Sequence, residues 1–330
     1  MINQSSAEAQ LLAQHQSQLK RWQAAELDNG LRVRAVNACD LPPRQAGVGL
    51  ARKIGMDLAL GIFAQIKRDG LIVNLDADCK VAQNYLEVLG AYADGAGEGG
   101  SIYYEHPLDG LKKEHAEAIM LYELWLRYYS QALRWANYPH WHQTIGSAMF
   151  CRASLYARAG GMNRRKAAED FYFLHKIMPL CRFVTLTSTT VYPSARNSQR
   201  VPFGTGRAML EQAEGMKDFS RLYHPQIFRD LKQVLRKAPD LKDTCWPDFL
   251  AAHPRLNRSY QALLARSGKS FRQNFHHWLD GFAVLKFVHW REQFHTRTDW
   301  QNAISLVTEV SHLHETLQRL RLLEKQAANW

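Results

Sequence analysis

The pattern of apolar and polar positions predicts helices and strands that follow one another along the first two thirds of the chain. Apolar residues at helical spacing predict helices over residues 6–27, 50–66, 83–92 and 114–135. Short apolar runs predict strands over residues 31–36, 71–78, 101–105 and 144–150. Such alternation favours an α/β fold with a parallel sheet, in which ligands bind beyond the carboxyl ends of the strands.

Residues 209–330 are predicted to be helical throughout. One helix carries Ile227, Leu231 and Val234 on its apolar face and several basic residues on the opposite face. A surface helix with a solvated basic face is the simpler interpretation, and contact with anionic lipid is the alternative.

A second apolar pattern lies near the end of the chain. Its members alternate spacings of three and four residues: Ala303, Leu306, Val310, Leu313, Leu317 and Leu320. This seam predicts a helix that packs against another helix, in this chain or in a second copy, so an oligomer can form through the C-terminal helices.

The amino-acid composition limits the classes of partner that the chain is expected to bind. The 330 residues are 46% hydrophobic, enough for a large core, and the net charge of +11 favours acidic partners such as nucleotides, phospholipid headgroups or nucleic acid. Nucleic acid is disfavoured because the basic residues do not alternate with aromatic ones on a predicted face.

The location expected from the sequence is the cytoplasm. The five cysteines are scattered singly, without zinc spacing, and their odd number argues against a disulfide framework. Residues 1–20 lack the apolar core of a secretory signal, and no stretch is long and apolar enough to span a membrane.

Two acidic pairs are candidates for chemistry. Asp76 and Asp78 end an apolar strand two residues apart, so their side chains would point the same way and converge on one Mg²⁺ or Mn²⁺ ion that holds a diphosphate. Taken alone, this pair is more often a polar strand end that begins a turn. Glu169 and Asp170 begin a predicted helix, where acids ordinarily complement the helix dipole.

A basic loop follows over residues 196–207. It contains no acid and carries Arg196, Arg200 and Arg207 together with Gly204. Arginine binds phosphate through two parallel hydrogen bonds and glycine lets backbone N–H groups approach, so the loop could close over a diphosphate. An ordinary solvated loop is the alternative.

The order of these features resembles that of the family-2 glycosyltransferases, inverting enzymes of the GT-A fold. Gly47 and Gly49 precede Ala51-Arg52, the Asp76/Asp78 pair follows, and Gly160-Gly161 leads to Glu169-Asp170 and the basic loop. The resemblance covers about residues 33–207, and as an ordered set it is more specific than any single motif.

The resemblance implies a GT-A (Rossmann-like) mixed sheet flanked by helices in residues 1–208, with an all-helical extension in residues 209–330. Such enzymes usually begin with an apolar strand that holds the nucleotide, and here only a trace of it precedes residue 31, at residues 1–3. The implied reaction moves a sugar from a nucleotide-diphosphate donor to a glycan or lipid-linked hydroxyl acceptor. It would serve bacterial surface polysaccharide or glycolipid synthesis, at the inner face of the membrane.

The resemblance also assigns roles to residues of this chain. Asp76 and Asp78 would hold the metal, Mg²⁺ or Mn²⁺, and the donor. Asp170, or its neighbour Glu169, would be the catalytic base. The remaining donor-binding residues would be Arg52, Arg200, Gly204, Thr205 and Arg207.

The acceptor side is less defined. His142 precedes a predicted strand and, with Trp141, is the candidate for contact with the acceptor, whereas the other histidines are interpreted as structural. The alternative function is that of a noncatalytic, glycosyltransferase-like subunit that binds a partner or a membrane.

Overall fold

The computed structural model describes residues 2–5, 9–23, 32–42, 46–166, 168–196, 204–309 and 312–327. In these ranges the strands are β1 (Ile2–Ser5), β2 (Asn37–Leu41), β3 (Leu71–Asn74), β4 (Lys80–Val81), β5 (Gly99–Tyr104), β6 (Met149–Arg152), β7 (Val184–Tyr192), β8 (Arg221–Leu222) and β9 (Thr298–Asp299). The helices up to residue 213 are α1 (Ala9–Gln23), α2 (Val48–Gln65), α3 (Tyr85–Asp94), α4 (Lys113–Trp135), α5 (Ala153–Arg158), α6 (Glu169–Ile177) and α7 (Thr205–Ala213). The later helices are α8 (Pro225–Lys237), α9 (Trp246–Ala252), α10 (Pro254–Ser267), α11 (Phe271–Trp278), α12 (Gly281–Glu292), α13 (Trp300–Ile304) and α14 (Leu313–Ala327).

The central sheet has five strands in the order β3-β6-β5-β7-β4. Only β5 and β7 run parallel, and the other neighbours are antiparallel. The prediction of an α/β fold with a mixed sheet flanked by helices is therefore confirmed, whereas the expectation of a parallel sheet from the alternation of elements is wrong. The expectation that residues 209–330 are helical throughout is also wrong, because β8 and β9 pair there in a short antiparallel sheet. Alternation along the chain does not specify strand direction, because a strand that follows a helix can enter the sheet from either end.

Close packing explains the glycines at the start of β5. A Cβ atom on Gly100 would lie 2.4 Å from the carbonyl oxygen of Val184 and 2.7 Å from the ring of Phe150. Real Cβ atoms do not come so close, so only glycine lets β5 lie between β6 and β7 at this point.

Two strands lie later in the chain than predicted. The strand predicted over residues 31–36 is instead β2, which pairs in parallel with β1 in the register Ile2↔Asn37. Pairing with β1 therefore decides where this strand lies. Strand β1 lies where the sequence showed a trace of an apolar strand, but it forms with β2 a sheet separate from the central one. The strand predicted over residues 144–150 begins at Met149, because the amide of Ala148 closes a turn onto the carbonyl of Ile145.

The amphipathic helix α8 turns its apolar face inward. Ile227, Leu231 and Val234 are fully buried in a core that also contains Leu124 and Tyr128 of α4. This face is covered by the chain itself, so α8 can present only its basic face outward. Within the described residues, no helix is long and apolar enough to cross a membrane.

The predicted C-terminal seam is not one helix. Helix α13 ends at Ile304 and α14 begins at Leu313, while Val310 lies outside the described residues. Leu317 and Leu320 are buried in the same core as α4, and α14 packs along α4. The seam therefore packs within this chain, and the oligomer stays a prediction.

Candidate active site

The two glycines at the start of α2 set its distance from the loop before α6. A Cβ atom on Gly49 would lie 2.1 Å from the carbonyl oxygen of Arg165, and one on Gly47 would lie 3.3 Å from the Cα atom of Lys166. The first contact is with backbone, which cannot move aside without displacing the loop. Glycine at position 49 therefore lets the second turn of α2, which carries Arg52, lie beside the start of α6.

Arg52 joins two parts of the predicted site. Its guanidinium donates one hydrogen bond to Oδ1 of Asp76 at 2.6 Å and another to Oε1 of Glu169. The guanidinium lies against Gly146, where a Cβ atom would come within 2.7 Å of its Cζ atom. Arg52 on α2, Asp76 after β3 and Glu169 at the start of α6 are thus brought together, as the resemblance to family-2 glycosyltransferases implies.

Asp170 follows Glu169 in the chain, and two backbone N–H groups hold its carboxylate. Its carboxylate accepts hydrogen bonds from the N–H groups of Phe171, at 2.8 Å, and Gly146. Burial raises the pKa of Asp170 above its ordinary value, and Arg52 opposes the rise. The side chain is half-buried, whereas Glu169 is only 3% exposed.

Asp76 and Asp78 have different partners. Strand β3 ends at Asn74, and the two aspartates lie in a turn that the amide of Cys79 closes onto the carbonyl of Asp76 at 3.0 Å. Alternation along a strand therefore does not govern their side chains, contrary to the sequence argument. Asp76 pairs with Arg52, while Asp78 pairs with Nη2 of Arg196 at 2.7 Å.

The basic loop is described only at its two ends. Arg196 reaches Asp78 at one end, and Arg200 lies outside the described residues. At the other end Gly204, with a φ angle of 101°, precedes α7, whose first residue is Thr205. Arg207 pairs with Glu211 of its own helix at 2.9 Å, so its guanidinium is held on α7.

Thr205 contacts His106 and Tyr122, two residues that no sequence motif marks as part of the site. Its hydroxyl shares a hydrogen bond with Nε2 of His106 at 3.2 Å and another with the hydroxyl of Tyr122. Burial raises the pKa of Tyr122, and the nearby Asp170 raises it further, so the phenol is uncharged. Tyr122 therefore bonds the start of α7 and lies near Asp170. The sequence places Tyr122 in a predicted helix but carries no motif that marks it.

His142 and Trp141 pack against each other, and His142 also contacts Thr185 and Phe183. The rings of His142 and Trp141 stack at 4.4 Å, and Nδ1 of His142 shares a hydrogen bond with the hydroxyl of Thr185 at 2.9 Å. Burial, with a smaller effect of His140, lowers the pKa of His142 to about 3. No contact found among the described residues joins this pair to Asp170 or Asp76, so an acceptor role for them stays a prediction.

The site contains more carboxylate groups than guanidinium groups. Four carboxylates, those of Asp76, Asp78, Glu169 and Asp170, surround the guanidinium groups of Arg52 and Arg196. Asp76 and Asp78 are also the most open of the carboxylates, with side chains 46% and 39% exposed. Carboxylate oxygens are the ligands that Mg²⁺ and Mn²⁺ prefer, and one or two from the protein suffice, so the chemistry of these side chains suits such an ion. Among the described residues no group of three or more His, Cys, Asp or Glu side chains is placed to hold a metal, so the metal stays a prediction.

The protonation of Glu169 makes the free energy of unfolding depend on pH. Burial and the neighbouring Asp170 raise the pKa of Glu169 from 4.5 to about 7, in spite of Arg52. The folded chain thus holds this proton more tightly than the unfolded chain does. The resulting contribution to stability is full below pH 4.5 and is lost as the pH rises toward 7.

We therefore expect Glu169→Gln, compared with the parent in buffer containing a chelator, to gain about 3 kcal/mol of relative stability between pH 4.5 and 7.5. The free energy of unfolding in urea measures this difference. Comparison with the parent is needed because burial lowers the pKa of His142, so that this residue titrates in the opposite sense. Glu87→Gln, at an exposed position of α3, is the control and should show no such trend. A constant difference for Glu169→Gln would contradict the prediction.

Three comparisons with known proteins were made for the whole chain. No family model matches it, no curated protein matches it, and no solved structure matches it.

Proposed function

We propose that the chain is an inverting glycosyltransferase of the GT-A type, which moves a sugar from a nucleotide-diphosphate donor to a hydroxyl of a glycan or lipid-linked acceptor. One observation carries the proposal: Asp76, after β3, and Glu169, at the start of α6, bind the same guanidinium of Arg52. Two acidic motifs that lie 93 residues apart by the numbering thus meet, with Asp170 beside them. This is the meeting that the resemblance to family-2 glycosyltransferases requires.

Asp170 is the better placed of the two candidate bases. Glu169 is committed to Arg52 and almost inaccessible, whereas Asp170 is half-buried and fixed by two backbone N–H groups. A raised pKa brings a carboxylate closer to the working pH, which favours proton transfer. In the proposed step, Asp170 takes the proton of the acceptor hydroxyl as the oxygen bonds to the anomeric carbon. The bond from that carbon to the diphosphate breaks, and its electron pair leaves with the diphosphate.

The other residues of the site act on the donor. Arg196 lies next to Asp78, where its guanidinium would pair with the departing diphosphate. Asp76 and Asp78 would hold Mg²⁺ or Mn²⁺, which when bound neutralises charge on the diphosphate. A bound cation would offset the negative charge of Asp76 and Asp78 and so favour an anionic donor at this place.

Thermal stability in the presence of nucleotides tests the proposal. Uridine and guanosine diphosphates are titrated with and without Mn²⁺, and we expect one of them to stabilise the fold by about 2.7 kcal/mol at 100 times its Kd, only when Mn²⁺ is present. Asp76→Asn combined with Asp78→Asn should abolish the effect. Asp94→Asn, at an exposed position of α3, is the matched control and should retain it.

Two outcomes would count against this proposal. A stabilisation that is independent of Mn²⁺ and survives in the double variant would place the nucleotide elsewhere on the molecule. No stabilisation by either nucleotide would favour the alternative, a noncatalytic glycosyltransferase-like subunit.

A further inference from the structure

A small basic cavity lies away from the candidate active site, between the end of α4, helix α8 and helix α11. Its volume is about 270 Å³, just below the range of roughly 300–1,000 Å³ that is usual for small-molecule sites. The side chains that give it its character are Lys232, Arg236, Arg272 and His276. The described residues that line it include no acid.

These side chains are arranged around the cavity by the helices. Nη2 of Arg272 donates to the carbonyl oxygen of Arg236 at 2.9 Å, which ties the start of α11 to the end of α8. The ammonium group of Lys232 lies 3.7 Å from the centre of the Trp135 ring. The Nδ1 atom of His276 is buried and has no hydrogen-bond partner among the described residues.

Helix dipoles do not account for so much positive charge. The ends of α4 and α8 lie here, and each helix C-terminus carries roughly half a negative charge. Three permanent cations therefore exceed the two helix ends by about two charges. A phosphate group carries about −1.5 to −2 charges near pH 7 and accepts several hydrogen bonds at once, so it matches this excess.

We propose that this cavity, named here the α8–α11 pocket, binds a phosphate group, with Lys232, Arg236 and Arg272 as its main ligands. The group can belong to a free phosphate or diphosphate or to the headgroup of a lipid, because the chemistry of recognition is the same. His276 supports the proposal, since burial and Arg272 lower its pKa and an anion in the pocket would oppose both effects. Arg272, His277 and the lining cations are the charged groups that surround it. The proposal does not depend on the activity proposed above.

Direct binding measurements on the full chain test the pocket. Inorganic phosphate and pyrophosphate are titrated by calorimetry at low salt and again at about 0.15 M salt, where exposed charges are screened beyond about 8 Å. We expect Lys232→Gln combined with Arg236→Gln to weaken binding at least about tenfold. Arg229→Gln combined with Lys237→Gln removes the same charge from exposed positions of α8 outside the pocket and should weaken it less than about twofold at the higher salt.

Binding of a lipid headgroup is measured with vesicles of phosphatidylcholine that contain phosphatidic acid, whose headgroup is a phosphate ester. Free phosphate binding that the pocket variant alone loses supports the proposal with a soluble ligand. Binding to these vesicles that the pocket variant alone loses, without binding of free phosphate, supports it with a headgroup. Equal weakening in both double variants, or no binding of either probe by the parent, overturns it.

Discussion

Replacing Asp170 by asparagine is expected to lower the kcat of sugar transfer by about 10²–10⁴-fold, because asparagine cannot accept the proton of the attacking hydroxyl. The amide is nearly the same size as the carboxylate, and its oxygen can still accept from the N–H groups of Phe171 and Gly146. Stabilisation by the nucleotide with Mn²⁺ should therefore change little. Steady-state kinetics with the nucleotide sugar, together with thermal stability in the presence of the diphosphate, measures both.

The control for this prediction is again Asp94→Asn, which should leave kcat unchanged. The dependence of kcat on pH gives a further test, since the parent should lose activity as Asp170 becomes protonated and the Asp170→Asn variant should not show this loss. A variant that loses nucleotide binding while it retains kcat would show that Asp170 holds the donor. A larger loss of kcat in Glu169→Gln would transfer the role of base to Glu169.

The sequence predicted which elements carry the site better than it predicted how the side chains meet. Helix α2, the apolar strand ahead of Asp76 and the helix that begins at Glu169 all lie within a few residues of their predicted bounds. Their patterns are local, since each depends on apolar spacing within one element. The contact of Arg52 with both Asp76 and Glu169 is not local, and the resemblance, not the spacing, placed them in one site.

The turn after β3 shows why the rest was not predictable. The strand ends two residues before Asp76, so both aspartates lie in a turn, where the alternation of side chains along a strand no longer applies. Apolar pattern does not fix a strand end so closely. His142 illustrates a second difficulty, because its neighbours Thr185 and Phe183 come from another strand and the loop before it.

The least predictable feature is a buried ionic network between α4 and α14. Arg127 is completely buried, and it donates to Oε1 of Glu123 at 2.8 Å, to Glu324 and to the carbonyl of Tyr104. Burial acts to raise the pKa of Glu123, but Arg127, Arg321 and His106 hold it well below its ordinary value. In the sequence, Glu123 and Arg127 resemble an ordinary pair on a helix surface, since Glu324 lies 197 residues further along the chain.

We expect Arg127→Met to lower the free energy of unfolding by about 3–5 kcal/mol, because methionine leaves the carboxylate of Glu324 buried without its cation. Glu324 is 1% exposed, whereas Glu123 keeps Arg321 and His106 as partners. Denaturation in urea, followed by tryptophan fluorescence, measures the change. Arg134→Met is the control on the same helix. Arg134 is only half-buried and its hydrogen bonds are long, 3.3 and 3.4 Å, so we expect a loss under about 1 kcal/mol.

A double variant separates the loss of the cation from the loss of packing. If the unpaired carboxylate causes the instability, Arg127→Met combined with Glu324→Leu should be more stable than Arg127→Met alone, although it carries one more substitution. If instead the guanidinium acts mainly by filling space, the second substitution should lower stability further. The network also reaches the candidate site, because Glu123 accepts from Nδ1 of His106 while Nε2 of the same ring bonds Thr205 at the start of α7. Stabilisation by the nucleotide should therefore recover in the double variant together with the fold.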